Sequence, residues 1–221
     1  MTWATESHAH ASPSPPIDAM KNAILTVGCG RGFVIEGRCA RYVITAAHCL
    51  PVAPEMMSAH LEDWTYLRVL GKLNDEPSIC AECLFVDPIS GIAVLACPDD
   101  PSLQVEECIY DGLINNMTPI PIGCLPETDS SWPPSNGTPV FFLSHSLETI
   151  RANVTRSREF ASLHGDEQRI ESKIIGSPIV TDGGKAVGVI TSNSRITTLT
   201  QALPEWLVCE LTERELNENS K

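Results

Sequence analysis

Basic residues are scarce in this chain of 221 residues: Lys and Arg together number 15 against 28 Asp and Glu, a formal net charge of −13. A surface with so little positive charge suits neither nucleic acid nor an anionic membrane, because both need a cationic face. It favours solubility or a basic partner, and a solvated acidic surface is the simplest account. Long hydrophobic runs are also missing. The stretches Phe33 to Ile35, Ile92 to Ala96 and Val140 to Leu143 are far shorter than the roughly 20 apolar residues of a membrane-spanning helix. The first 20 residues have neither a basic n-region nor an apolar h-region, so no secretory signal is read there. Internal repeats are absent. Cys80 and Cys83 form a C-x-x-C pair, but no second pair completes a zinc site and no redox βαβ pattern surrounds it. Neither a metal nor another cofactor is expected.

What is present reads as ordinary globular material, with 43% hydrophobic and 19% charged residues. The length suits one large domain or two small barrels. The nine cysteines are Cys29, Cys39, Cys49, Cys80, Cys83, Cys97, Cys108, Cys124 and Cys209. An odd count without an export signal points to reduced thiols and a cytoplasmic location. His8 and His10 lie in a Ser- and Pro-containing tail, where they are a weak metal signal.

From Ile24 onward the chain alternates short Val-, Ile-, Phe- and Tyr-rich segments with Gly, Pro, Asp and Asn clusters. Strands are expected at Phe33–Ile35, Tyr42–Thr45, Ala81–Val86, Ile92–Ala96, Val140–Leu143, Ala152–Thr155, Pro178–Thr181 and Ala186–Thr191. Asp182-Gly183-Gly184 separates the last two as a tight hairpin requires. Strands this short, without long helices between them, predict an all-β barrel or sandwich. A polar, Pro-rich stretch from Pro126 to Pro139 looks like a connection between two halves. Leu203, Leu207 and Leu211, four apart, predict a short amphipathic helix starting at Pro204.

The segment GRGFVIEGRCARYVITAAHCL, Gly30 to Leu50, narrows these alternatives. Its Thr45-Ala46-Ala47-His48-Cys49 resembles the histidine motif of the trypsin-like (chymotrypsin-fold) serine peptidases. Gly91-Ile92-Ala93-Val94-Leu95 resembles that family's aspartate strand, D-I-A-V-L. Gly176-Ser177-Pro178, followed by a hairpin and Gly188-Val189, resembles its serine block. Chain order and spacing agree with the His, Asp, Ser order of the fold. The resemblance covers roughly Ile24 to Val208 and is nearest to compact bacterial-type members. It implies two six-stranded antiparallel β-barrels and a short C-terminal helix. Residues 1–20 are then a flexible tail, 21–125 a first barrel and 126–139 the inter-barrel connection. Residues 140–208 hold the second barrel and helix, and 209–221 the helix end and a solvated tail.

The same alignment exposes three departures from a working triad. Gly91 stands where the family has its aspartate, so nothing there can accept the imidazole proton and orient His48. Ile175 stands where the nucleophilic serine belongs. Lys173 replaces a glycine whose amide lines the oxyanion hole. Losing the serine alone costs a peptidase about 10⁶ in turnover. The resemblance therefore implies a pseudopeptidase whose cleft holds a peptide or protein ligand by strand addition. An active trypsin-like endopeptidase assembled from His48, Asp87 and Ser177 is the alternative. It requires the Ser177 hydroxyl within reach of His48, although Asp87 reads as a turn residue and Ser177 as the start of a strand. A thiol site pairing His48 with Cys29 or Cys49 is a third possibility. The resemblance also places Cys29 beside Cys49, with both thiols expected free. Arg169 falls at the base of the family's specificity pocket, and His60, His145 and His164 read as surface or packed histidines.

Overall fold

The computed structural model describes residues 17–51, 64–125, 137–156, 161–164, 171–191 and 195–212. A short helix α1 (Ile17–Ala23) leads into six strands: β1 (Ile24–Val27), β2 (Gly30–Glu36), β3 (Arg41–Ala46), β4 (Thr65–Gly71), β5 (Ile79–Asp87) and β6 (Ile92–Ala96). Helix α2 (Gln104–Ile114) follows. The second set is β7 (Thr138–Leu143), β8 (Thr149–Arg156), β9 (Ala161–His164), β10 (Pro178–Thr181), β11 (Ala186–Ile190) and β12 (Arg195–Thr198), ending in α3 (Leu199–Ala202) and α4 (Glu205–Thr212).

The strands close into two barrels, in the orders β1-β2-β3-β6-β5-β4 and β10-β11-β12-β9-β8-β7, and every pairing is antiparallel. Closure leaves no long sheet edge open to another chain. The two six-stranded barrels and the short C-terminal helix are those expected from the motifs. All eight expected strand segments are extended, and the Asp182-Gly183-Gly184 turn joins β10 to β11 with Thr181 N–H donating to Lys185 O at 3.0 Å.

The core fills both barrels and the contact between them. Leu25, Phe33, Ile44, Val94 and Leu95 are fully buried in the first barrel, and Val140, Phe142, Ile179 and Ile190 in the second. Strand β6 reads as a continuous apolar run because it is enclosed on both faces. Helix α4 follows the second barrel in the chain, yet its Leu207, with Leu199 and Leu203, joins the cluster built mainly from first-barrel residues. It starts where expected: Pro204 O accepts from the amides of Leu207 and Val208, both at 3.0 Å.

Several elements differ from the sequence reading. Helix α1 begins at Ile17, inside the segment read as tail, because Met20 and Ala23 are buried against the first barrel. Strand β7 begins at Thr138, two residues before the strand expected there. Of the connection 126–139, residues 126–136 lie outside the described residues, as do His8, His10, His60 and Arg169. Helix α2 was not anticipated. A 3-10 turn, Pro101–Leu103, leads into it, capped by Asp100 Oδ1 accepting from Ser102 N–H at 2.8 Å, and Tyr110 and Ile114 form the buried face of α2.

Candidate functional site

Strand β3 delivers His48 on a 3-10 turn, Ala47–Cys49, at the end of an apolar run. The turn splits its two side chains: the imidazole of His48 is exposed, whereas Cys49 is 1% exposed. Among the described residues nothing hydrogen-bonds to that imidazole. Cys49 Sγ instead meets Ile175 O at 3.6 Å, and burial pushes its thiol up to about 11, out of reach of thiolate chemistry at neutral pH.

Gly91 lies directly against this turn. Its neighbour Ile92 pairs with Ala46, and Ala47 N–H donates to Gly91 O at 2.8 Å. Gly91, expected from the motif to stand in place of an orienting acid, therefore adjoins the turn that carries His48. Its backbone has φ 76°, and a Cβ there would come within 3.4 Å of Thr191 Cβ. The space is adequate for a side chain, but the left-handed conformation resists one.

Asp87 is engaged within its own turn. Its Oδ1 accepts from Ile89 N–H and its carbonyl accepts from Gly91 N–H, both at 2.8 Å. It organises the turn 87–91, as an Asx residue does.

On the other side of the cleft, residues Ser172–Ile174 form a second 3-10 turn that ends at Ile175. Ile175 is 9% exposed and its side chain belongs to the inter-barrel core cluster. Its N–H donates to Ser172 O at 3.2 Å, and its C=O accepts from Arg31 N–H at 2.7 Å. In an acyl-transfer site the amide at the nucleophile position must face the developing oxyanion. Here that amide is spent inside the turn. Lys173, exposed on the same turn, carries the side chain that replaces a glycine.

Gly176 follows with φ 86°, its amide donating to Ile190 O at 2.8 Å. A Cβ at this position would overlap Arg31 O, which itself accepts from Thr45 Oγ1 at 2.6 Å. Only glycine fits. The next residue, Ser177, is fully buried, and its hydroxyl has no hydrogen-bond partner among the described residues. The structure therefore brings His48 and Gly91 together, sets Ile175 across from them, and leaves Asp87 and Ser177 apart.

Solved serine proteases superpose on this double barrel. The serine protease of a human pathogenic astrovirus superposes with a TM-score of 0.50 at 14% sequence identity, covering 83% of this chain and 94% of that one. This is the chymotrypsin fold. A serine endoprotease from Yersinia pestis is also similar, at TM-score 0.47 and 15% identity, with 92% of this chain and 66% of that chain covered. The inactive form of the Rv3671c protease of M. tuberculosis gives TM-score 0.47 and 15% identity, with coverages of 96% and 98%. No protein-family model matches the sequence, and no curated protein does.

The remaining expected positions divide between the cleft and the periphery. Cys29 N–H reaches Cys49 O at 3.4 Å and Cys29 Sγ reaches His48 O at 3.6 Å, so these cysteines do lie side by side, as free thiols. Cys80 and Cys83 are buried on β5, and burial pushes Cys83 up to about 12. His164 pairs with Thr155 at 2.7 Å on the outer face of the second barrel. Sequence reading missed Arg31 as a residue of the site. The available signal was a cation set between two glycines at the start of an apolar strand.

Proposed function

We propose that this chain is a serine-peptidase homologue that does not cleave peptides and instead holds an extended peptide or protein segment in the cleft between its barrels. The observation that carries this reading is Ile175. Ile175, the residue that the motif alignment sets at the nucleophile position, has its aliphatic side chain packed in the core and its amide bonded to Ser172 O. Gly91 supports it further, because among the described residues no acid hydrogen-bonds to His48 to fix its tautomer. The loss of a nucleophile, an acid and an oxyanion donor touches one functional unit three times, and each alone costs orders of magnitude. The odd number of free cysteines supports a reducing compartment such as the cytoplasm.

The competing reading, an endopeptidase using His48, Asp87 and Ser177, has little support. The Asp87 carboxylate is engaged by Ile89 N–H, and the Ser177 hydroxyl is enclosed. A fluorophosphonate probe separates the two readings. The intact chain should remain unlabelled and should bind fluorescent unfolded casein, read by anisotropy, without releasing acid-soluble fragments. Labelling that disappears in Ser177→Ala would establish the active enzyme and end the present proposal.

A further inference from the structure

Arg31 is the largest fully buried side chain among the described residues, at 2% exposure on β2. Among the described residues no carboxylate meets it there. A buried guanidinium without a counter-charge is costly unless its N–H groups find acceptors. The acceptors come from the other barrel, as three successive carbonyls. Nη1 donates to Leu143 O at 3.3 Å and Ser144 O at 3.0 Å, and Nη2 donates to His145 O at 3.1 Å.

Three consecutive carbonyls converge on one cation only if the chain curls around it. The turn after β7 does so at a conformational cost. Leu147 has φ 63°, a left-handed backbone that costs a residue with a Cβ about 1–2 kcal/mol. Within the turn, Ser144 N–H donates to Glu148 O at 2.9 Å, Leu147 N–H to Ser144 O at 3.1 Å and Glu148 N–H to Ser144 Oγ at 3.0 Å. The backbone of Arg31 meanwhile holds the Ile175 segment through the bond to Ile175 O.

We infer that Arg31 is a clasp between the barrels: its guanidinium shapes the 143–147 turn while its backbone fixes the Ile175 segment, so one residue sets both second-barrel walls of the cleft. It acts as a positioning residue, and the inference holds whether or not the cleft is catalytic.

Hydrogen exchange on the full chain tests it, because locally opened amides exchange ahead of the global core. In Arg31→Met the amides of Ser144, Leu147 and Glu148 should exchange at least about tenfold faster than in the parent, with Ile44 and Val94 of the first barrel nearly unchanged. Arg31→Lys keeps the charge but not the planar fork, and should show the same local pattern at lower amplitude. Adding Leu147→Gly to Arg31→Lys should slow that exchange again, because glycine relieves the left-handed turn without touching the clasp. Uniform acceleration across both barrels, or none, overturns the inference. If Arg31→Met does not fold, Arg31→Lys is judged by the same local comparison: a rise confined to the turn supports the clasp, and parental rates or a uniform rise reject it.

Discussion

On the first-barrel side, His48 stands exposed on its turn, with no hydrogen-bond partner for its imidazole among the described residues, beside a glycine that leaves space in front of Thr191. On the second-barrel side, the segment around Ile175 is fully engaged. Its side chain is packed, its amide bonds Ser172 O, its carbonyl bonds Arg31, and the next amide bonds Ile190 O. The contrast teaches that the two sides tolerate change unequally. An exposed histidine contributes little to the fold, whereas an aliphatic residue in the packed contact between barrels gains burial and becomes part of the core.

The sharpest test compares the two left-handed glycines. Gly176→Ala should destabilise by more than about 4 kcal/mol or abolish folding, because the added methyl overlaps the Arg31 carbonyl. Gly91→Ala pays only the left-handed backbone, about 1–2 kcal/mol, since its methyl meets Thr191 at an ordinary contact distance. Urea unfolding of both variants checks the ranking, and equal losses would erase the distinction between the two sides.

Ile175→Ser comes next. Removing a buried aliphatic side chain and leaving a hydroxyl in its place should cost roughly 2–4 kcal/mol. No probe labelling should appear, since the amide at 175 stays in its 3-10 turn and Gly91 supplies no acid. Labelling by this single variant would mean that packing, rather than the closed oxyanion position, silences the site.

Alkaline pH probes the same buried contact more gently. Burial raises the Cys49 thiol from an ordinary 9.0 to about 11. The folded state therefore holds its proton more tightly than the unfolded chain, and the associated stability is complete below pH 9. It is lost as pH rises toward 11, by roughly 1–3 kcal/mol. Cys49→Ala should reduce the slope of a denaturation profile measured from pH 8 to 11 without abolishing it, because the Cys83 and Cys97 thiols are raised by burial as well. The smallest effect belongs to His48→Ala, which should change stability by less than about 0.5 kcal/mol, as expected of an exposed side chain. It should also leave casein binding intact. A loss of several kcal/mol would show that the histidine side is structural too.

Much of the double barrel was legible from the chain. Alternating Val, Ile and Phe segments marked eight strands, and the Ala47-His48 and Gly176-Ser177-Pro178 blocks set their register relative to the site. Strand β4 escaped notice because its pairing with β5 is interrupted by a bulge between Tyr66 and Leu70, with Arg68 at φ 56°, which breaks the alternation that signals a strand. Strands β1, β9 and β12 have only four residues each, too short for a periodic signal, whereas the equally short β10 was marked by the Asp182-Gly183-Gly184 turn that follows it. Helix α2 has no side-chain cap at its own start, Leu103; the Asp100-Pro101 signal before it belongs to a 3-10 turn.

The sequence by itself determined which residues stand at the positions its motifs mark, Gly91, Lys173 and Ile175, because chain order and local motifs are written in one dimension. Tertiary structure alone decided that Ile175 packs between the barrels, that its carbonyl meets the Arg31 amide, that Ser177 is enclosed, and that the Arg31 side chain crosses to residues 143–145. The two Arg31 contacts join groups more than a hundred residues apart, and hydrogen-bond partners at that separation leave no trace in local periodicity or composition.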